Sequence, residues 1–191
     1  QANVGEHLAT DGSWFVNIKE HCEDGQRSLY VKDLTLAHVR RWVWRFVDEF
    51  CWERVGIPGS PHLMGRFKNQ WEPIFHYSKN PKPLFNPDGV SYESTGAIIG
   101  GEYTRGLKTK QGQGGWLSSK DVGTGKAYPG NRISVANSGS NLGHAAAFPV
   151  ALPGFFIKAF SDADDVIYDP FLGSGTTLIA AAKHGRVCYG T

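Results

Sequence analysis

The feature that most constrains the fold is a strand-like run followed by a glycine loop close to the C-terminus. The apolar segment Val166-Ile-Tyr168 leads into Asp169-Pro170, then into glycines at positions 173 and 175, and then into an alanine- and leucine-rich stretch that ends at Gly185. This order predicts a strand, a tight loop, a helix and, over residues 186–191, a second strand. The glycines reach backbone angles closed to other residues, and the first turn of the helix presents unpaired amides. Because ligands of open α/β sheets bind beyond the carboxyl ends of strands, where Asp169 lies, the pattern predicts a nucleotide-like cofactor.

Two common nucleotide-binding loops are disfavoured by the residues that follow the second glycine. The phosphate-gripping loop requires a lysine there, whereas Thr176 and Thr177 follow Gly175. The dinucleotide fingerprint requires a third glycine three residues after the second, and that position holds Leu178. A nicotinamide-dependent oxidoreductase is therefore the weaker alternative.

The loop resembles a known cofactor site. The string Asp169-Pro-Phe-Leu-Gly-Ser-Gly-Thr-Thr177 is similar to motif I, the S-adenosylmethionine loop, of DNA amino-methyltransferases, which methylate adenine N6 or cytosine N4. The resemblance implies an α/β fold with a partial Rossmann-like class I methyltransferase sheet. It also implies that the following residues contact S-adenosylmethionine: Asp169, Pro170, Phe171, Gly173, Ser174, Gly175, Thr176 and Thr177. A glycine turn in some other α/β protein is the alternative.

A second segment, residues 141–160, resembles motif X of the same family. That motif usually reads His-Pro-Ala, then Phe-Pro, then a helix directly before motif I, and here Ala145 replaces its proline. The resemblance implies that His144, Phe148 and Pro149 contact the methionine end of the cofactor. The plain alternative is a loop and an amphipathic helix that pack into the core.

Composition limits the class of protein. The chain has 191 residues, of which 40% are hydrophobic, enough for one globular domain with a core. It has no apolar run of membrane-spanning length and no signal-like start, so we expect a soluble cytoplasmic protein with no membrane partner. The family resemblance implies a bacterial, archaeal or phage type. Three scattered cysteines and seven histidines without ligand spacing predict neither a disulfide framework nor a metal site.

The central part of the chain differs in character from both ends. Residues 81–143 are rich in glycine and proline, and residues 91–143 carry six basic and three acidic side chains with interleaved aromatic rings. This mixture is typical of a surface that neutralises phosphates. The family resemblance implies a mostly irregular target-recognition insertion over residues 81–140, between the catalytic parts 1–80 and 141–191. The candidate DNA-binding residues are Arg105, Lys108, Lys110, Trp116, Lys120 and Lys126; the alternative is a solvated glycine-rich loop.

The N-terminal third predicts alternating strands and helices. Residues 13–19 predict a strand, Leu29–Val31 a short extended piece, and apolar spacing predicts a helix from Asp33 or Thr35 to about Phe50. Strands are then expected at Trp52–Ile57 and Trp71–Tyr77. The residues Arg66, Glu72 and Lys79 resemble a further family pattern; a structural ion pair between the arginine and the glutamate is the alternative.

The order of these segments resembles the beta arrangement of the family, but its catalytic tetrapeptide is absent. No Asp, Asn or Ser followed by Pro-Pro and an aromatic residue occurs, and the chain stops at Thr191, where relatives carry the acid that binds the ribose. The chain therefore looks truncated at both ends, with no catalytic residue of its own. We predict an open sheet edge that pairs with another chain, as in a homodimer, or leaves the protein marginally stable.

These observations predict a site-specific DNA methyltransferase of a restriction-modification type, inactive as this fragment. Its substrate would be double-stranded DNA with a flipped adenine or cytosine, and the sequence leaves the choice of base open. The alternative is a catalytically dead methyltransferase-like module that binds DNA or a partner.

Overall fold

The computed structural model describes residues 2–55, 65–93, 104–108, 114–118, 126–136 and 148–191. The chain divides into two compact units, one formed by Gln1–Gly89 with Gly130–Thr191 and the other by Val90–Pro129.

The first unit contains four helices and eight strands in the described residues. They are α1 Ala2–His7, β1 Ser13–Asn17, β2 Cys22–Glu23, β3 Gln26–Arg27, α2 Tyr30–Arg40, β4 Arg45–Val55, β5 Trp71–Ser78, β10 Arg132–Ala136, α3 Ala151–Phe160, β11 Val166–Asp169, α4 Thr176–Lys183 and β12 Val187–Gly190, with a 3-10 turn at Pro87–Val90 where the units meet in sequence. Among the described residues, no helix has the length and apolar character needed to cross a membrane.

A four-stranded mixed sheet with the order β1-β5-β4-β10 forms the larger part of this unit. Strand β5 is antiparallel to both β1 and β4, while β10 runs parallel to β4. Strands β1, β4 and β10 therefore end at the same edge of the sheet, where β5 begins.

The loop identified in the sequence lies in a separate two-stranded sheet. Strands β11 and β12 pair in parallel, from Val166 opposite Val187 to Asp169 opposite Gly190. Helix α4 connects them, as the glycine-loop pattern predicts. The strand, loop, helix and strand predicted at the C-terminus are thus confirmed.

Three apolar clusters fill the first unit. The first lies between the four-stranded sheet and α3 and consists of Phe50, Trp52, Ile74, Ile133, Leu152 and Phe156. The second consists of Val31, Trp44, Phe75 and Tyr77. The third joins Ile157 of α3 to Ala180 and Ala181 of α4. Helix α3 contributes to two of these clusters, so it packs against both sheets.

Where the structure describes it, the second unit holds two short antiparallel pairings. Strand β6 Tyr92–Glu93 pairs with β9 Lys126–Ala127, and β7 Thr104–Lys108 pairs with β8 Gly114–Ser118. The described part of the insertion therefore contains regular strand pairing, and some of its glycines, such as Gly106 and Gly114, occupy paired positions.

The predicted helix from Asp33 or Thr35 to Phe50 is wrong in its second half. Helix α2 ends at Arg40, and β4 begins at Arg45. In β4 the buried side chains Phe50 and Trp52 alternate, and hydrogen bonding to β5 outweighs the helical spacing read from the sequence. The extended piece predicted at Leu29–Val31 is also wrong, since α2 starts within it.

The turn between α2 and β4 stores backbone strain at Val43. This β-branched residue has φ of 59° and is 83% exposed, while the amide of Trp44 bonds to the carbonyl of His38 at 3.0 Å across the turn. A left-handed conformation costs a residue with a Cβ about 1–2 kcal/mol.

We expect Val43→Gly to raise the free energy of unfolding by up to about 1 kcal/mol, because relief of strain exceeds the entropy that glycine adds to the unfolded chain. Val39→Gly, at an exposed helical position of α2, is the matched control and should lower it by about 0.5–1 kcal/mol. Urea unfolding of the three proteins measures both effects. Equal destabilisation by the two substitutions would contradict the strain.

His76 is a buried neutral histidine in the middle of the sheet. Its ring is 1% exposed, lies 2.8 Å from Ser13 Oγ through Nε2, and stacks on Phe15 with centroids 4.4 Å apart. Burial lowers the pKa of His76 from 6.5 to about 4, against a small opposing effect of Asp48. Burial also lowers the pKa of His38.

The folded pKa of His76 lies below its unfolded value, so its contribution is complete above about pH 6.5 and is lost as the pH falls towards 4. The loss is on the order of 3 kcal/mol for this residue. We expect His76→Gln to reduce the fall in the free energy of unfolding between these pH values. The fall that remains comes from other groups with lowered pKa values, namely His38, His184 and Glu72. Ser13→Ala, which removes the hydrogen bond but not the ring, should lower stability and keep the wild-type slope; parallel curves for His76→Gln and wild type would refute the assignment.

Candidate cofactor-binding site

The loop after β11 is organised around the carboxylate of Asp169. Its Oδ1 accepts the amide of Phe171 at 2.9 Å, and its Oδ2 accepts the hydroxyl of Thr177 at 2.6 Å. One side chain thus fixes the first turn of the loop and the start of α4 together. Thr177 is buried, so this hydrogen bond is shielded from water.

Two glycines give the loop the backbone angles that it requires. Gly173 has φ of 53° and Gly175 has φ of 83°, both in the left-handed region. A Cβ at Gly175 would meet no heavy atom within 4 Å, so the space in front of it is open. A ligand can therefore lie directly against the main chain at the start of α4.

Helix α4 begins at Thr176, and its N-cap residue Gly175 provides no side-chain hydrogen bond. The amide of Ile179 bonds back to the Gly175 carbonyl at 2.9 Å, which closes the first helical turn. The Gly175 amide donates to the Leu172 carbonyl at 2.9 Å, so the unpaired amides of the first turn are those of residues 176–178. The positive end of the helix dipole favours an electron-rich ligand group there. Ser174 Oγ lies 3.4 Å from Thr176 Oγ1; Ser174 is exposed, whereas Thr176 is buried.

The end of β12 braces the loop from behind. The amide of Leu172 donates to the carbonyl of Thr191 at 3.1 Å, and the Thr191 hydroxyl donates to the carbonyl of Pro170 at 3.2 Å. A Cβ at Gly190 would come within 2.5 Å of the Asp169 carbonyl oxygen. Gly190 and Thr191 are site-building residues that the sequence reasoning missed; the signal was a glycine at a strand end beside a tight loop.

The carboxylate of Asp169 also affects the neighbouring strand β12. Burial, followed by the charge of Asp169, raises the pKa of the Cys188 thiol on the neighbouring strand. Phe171 is 88% exposed and stands beside the opening, where it offers an apolar ring to a ligand. The site thus combines a carboxylate, free amides, hydroxyls and an aromatic face.

Among the described residues, no group of three or more His, Cys, Asp or Glu side chains is arranged for a metal ion.

The predicted motif X residues lie partly outside the described residues. His144 falls in the undescribed segment 137–147. Phe148 is half-buried and packs against the first apolar cluster, and Pro149 is buried with its carbonyl bonded to the Leu152 amide at 2.9 Å. Their contact with the cofactor stays a prediction.

The candidate DNA-binding residues lie in the second unit. Arg105 and Lys108 belong to β7, Trp116 to β8 and Lys126 to β9, whereas Lys110 and Lys120 lie outside the described residues. The register pairs Arg105 with Leu117 and Gly106 with Trp116, so one hairpin brings together positions that are ten residues apart or more in sequence. Their role in DNA binding stays a prediction.

Comparison with known proteins shows the family. A family model described as DNA methylase matches residues 2–191. The chain belongs to the DNA methylase family. S-adenosylmethionine is the cofactor of that family, which agrees with the resemblance of the Asp169 loop.

Individual proteins are similar to this chain in sequence or in fold. The type II beta methyltransferase M.BslI of Bacillus sp. (strain NEB-606) is 28% identical over 177 residues, which make up 91% of this chain and 17% of that protein. The structure of the PvuII DNA methyltransferase (cytosine-N4-specific) superposes with a TM-score of 0.69 at 21% identity over 96% of this chain and 60% of that one. The M1.HpyAVI–SAM complex superposes with a TM-score of 0.59 at 16% identity over 99% of this chain and 72% of that one. The predicted α/β fold is confirmed, since the mixed α/β structure matches those of methyltransferases. The matched region spans only 16% to 23% of the first three curated relatives.

We expect Gly175→Leu to abolish most binding of S-adenosylhomocysteine, because the side chain would fill the open space and strain the loop. Gly185→Leu is the matched control, since Gly185 has φ of 71°, has no atom within 4 Å of its Cβ position and lies at the other end of α4. Both variants should lose about 1–2 kcal/mol of stability from left-handed strain, but only Gly175→Leu should lose affinity. Isothermal titration calorimetry checks this, and equal affinities in the two variants would contradict the site.

Proposed function

We propose that this chain is the cofactor- and DNA-binding part of a site-specific DNA methyltransferase of a restriction-modification system. The observation that carries the proposal is the Asp169–Thr177 loop, in which a strand end, two left-handed glycines and a helix start surround open space. Because the DNA methylase family uses S-adenosylmethionine, we assign this cofactor to the loop.

The residues present fit S-adenosylmethionine. Gly173 and Gly175 leave the main chain bare, and the start of α4 supplies amide donors to the polar groups of the cofactor. Asp169 holds the loop in shape through Thr177, and Phe171 gives the adenine or the methionine chain an apolar surface. When bound, the cofactor supplies an electrophilic methyl group.

The methyl acceptor in the proposal is the exocyclic amine of adenine or cytosine, in a base flipped out of double-stranded DNA. The PvuII enzyme named above is specific for cytosine N4, which supports cytosine without deciding the base. No Pro-Pro-aromatic tetrapeptide occurs in the 191 residues. We therefore assign cofactor and DNA binding to this chain and methyl transfer to the whole enzyme.

The sheet edges bear on the homodimer prediction. Within the described residues, β1 pairs only with β5, and β11 pairs only with β12. Each of the two strands thus has one unpaired edge that can accept a further strand, from elsewhere in the polypeptide or from a second copy. Pairing of two copies stays a prediction.

We assign target recognition to the second unit, Val90–Pro129. Its strand β7 carries Arg105 and Lys108, and Lys110 follows in the sequence. Basic residues at short intervals in a small β-structure suit contacts with a phosphate backbone. A catalytically dead binding module is the second candidate, and the missing tetrapeptide favours it over an independent enzyme.

Neutralising Arg105, Lys108 and Lys110 together to Gln should weaken binding of a 30-base-pair duplex and reduce the slope of log affinity against log salt by up to about 0.9 for each phosphate that is no longer neutralised. The matched control is Arg40→Gln, Arg41→Gln and Arg45→Gln combined, which removes the same charge from exposed positions near the end of α2. Fluorescence anisotropy at several salt concentrations measures the slope. The assignment fails if both triple variants change the slope equally.

A further inference from the structure

A compact cluster of charged side chains lies outside the cofactor loop and has no assigned role. Lys19 follows the end of β1, Arg54 lies near the end of β4, and Glu72 lies at the start of β5. These positions share the sheet edge at which β1 and β4 end. An ion pair between Arg66 and Glu72 is the alternative that the sequence leaves open, and in the structure Arg54 bonds to Glu72.

Both cations bond to the same carboxylate oxygen. Lys19 Nζ donates to Glu72 Oε1 at 2.8 Å, and Arg54 Nη1 donates to it at 2.6 Å. The Glu72 side chain is 13% exposed, while Lys19 and Arg54 are 31% and 26% exposed. The Glu72 side chain is therefore more buried than the two cations, which partly face solvent.

The cluster has a net positive charge, because two cations, Lys19 and Arg54, face one carboxylate, Glu72. Burial would raise the pKa of Glu72, but the hydrogen bond and charge of Lys19, together with Arg54, hold that pKa below its usual value. One carboxylate thus opposes an ammonium and a guanidinium. A half-buried surplus of this kind attracts an anion more strongly than the same charge in water.

Buried donors beside the cluster lack acceptors. Arg54 Nε and Trp52 Nε1 are both buried without a hydrogen-bond partner in the part of the chain that the structure describes. The guanidinium carbon of Arg54 lies 5.7 Å from the centre of the Trp52 ring, which is the distance of a cation–π contact. Buried donors are normally satisfied, so these two nitrogen atoms mark a place where the described residues supply no acceptor.

The position in the sheet suits a ligand. Strands β1 and β4 are parallel to each other because each is antiparallel to β5. Their carboxyl ends form the edge at which open α/β sheets bind ligands. An acceptor at this edge that also neutralises a positive surplus is an oxyanion, for which an arginine and a lysine together are a suitable donor set.

We propose that Lys19 and Arg54 bind a phosphodiester group of the DNA substrate, with Glu72 orienting both cations. This inference rests on the proposed function. It adds a DNA contact in the first unit, separate from the recognition residues of the second. Glu72 is a positioning residue, since its carboxylate would lie behind the cations and away from the phosphate.

The test compares two variants that move DNA affinity in opposite directions. Lys19→Gln removes one phosphate contact and should reduce the salt slope for a 30-base-pair duplex by about 1. Glu72→Gln keeps an oxygen acceptor for both cations but removes the negative charge, so it should raise DNA affinity at low salt. A purely structural ion pair predicts the reverse for Glu72→Gln, namely lower stability with no gain in affinity.

Controls separate the possible outcomes. Lys32→Gln removes an exposed lysine on α2 that pairs with Glu20 at 3.4 Å, and it should leave the salt slope unchanged. Lys19→Arg, which keeps the charge, should restore most of the salt slope of the wild-type chain. Thermal unfolding and S-adenosylhomocysteine titration of each variant exclude misfolding and test the cofactor carboxylate as the other source of an oxyanion.

Three results would overturn the inference. An unchanged salt slope in folded Lys19→Gln would reject the phosphate contact and leave the proposed function intact. A loss of S-adenosylhomocysteine affinity without a loss of DNA affinity would assign the cluster to the cofactor instead. Failure of the wild-type chain to bind DNA at all would reject both this contact and the proposed DNA-binding role.

Discussion

The packing of helix α3 between two sheets is the interaction on which the rest of the first unit depends. The four-stranded sheet and the β11–β12 pair share no strand pairing in the described residues. Phe156 of α3 packs on Phe15 with ring centroids 4.4 Å apart, and the adjacent Ile157 packs on Ala180 of α4. Each buried side chain of this size contributes about 1.5–3 kcal/mol. One apolar helix therefore holds the cofactor loop at a fixed place beside the larger sheet.

Small residues make this packing close. Ala180 and Ala181 are fully buried, and a Cβ at Gly154 of α3 would come within 3.1 Å of His184 Nε2. The side chain of Arg186 completes the contact, with Nε donating to the Ser161 hydroxyl at 3.0 Å just beyond the end of α3. The position of α4, and with it the position of the loop amides, is set by these contacts rather than by the glycine loop alone.

How far the fold can be predicted from the sequence depends on the range of the interactions involved. The segment from Val166 to Gly185 could be predicted because strand, glycine turn and helix are each specified by neighbouring residues. The helix predicted to Phe50 failed because its end depends on Val43 in a left-handed conformation, and β4 depends on pairing with a distant strand. The ion pair of Arg54 with Glu72 was not predicted for the same reason, since sheet register places Arg54 beside Glu72.

The attachment of the β11–α4–β12 segment also has a thermodynamic consequence. A segment that is joined to its neighbours mainly through one helix face can open as a cooperative unit before the whole domain unfolds. The hydrogen bonds from Leu172 to Thr191 and from Thr177 to Asp169 would break together in such an opening, because they join both strands to the loop between them. Any ligand that requires the closed loop then slows amide exchange throughout the segment, and its affinity is reduced by the fraction of molecules in which the segment is open.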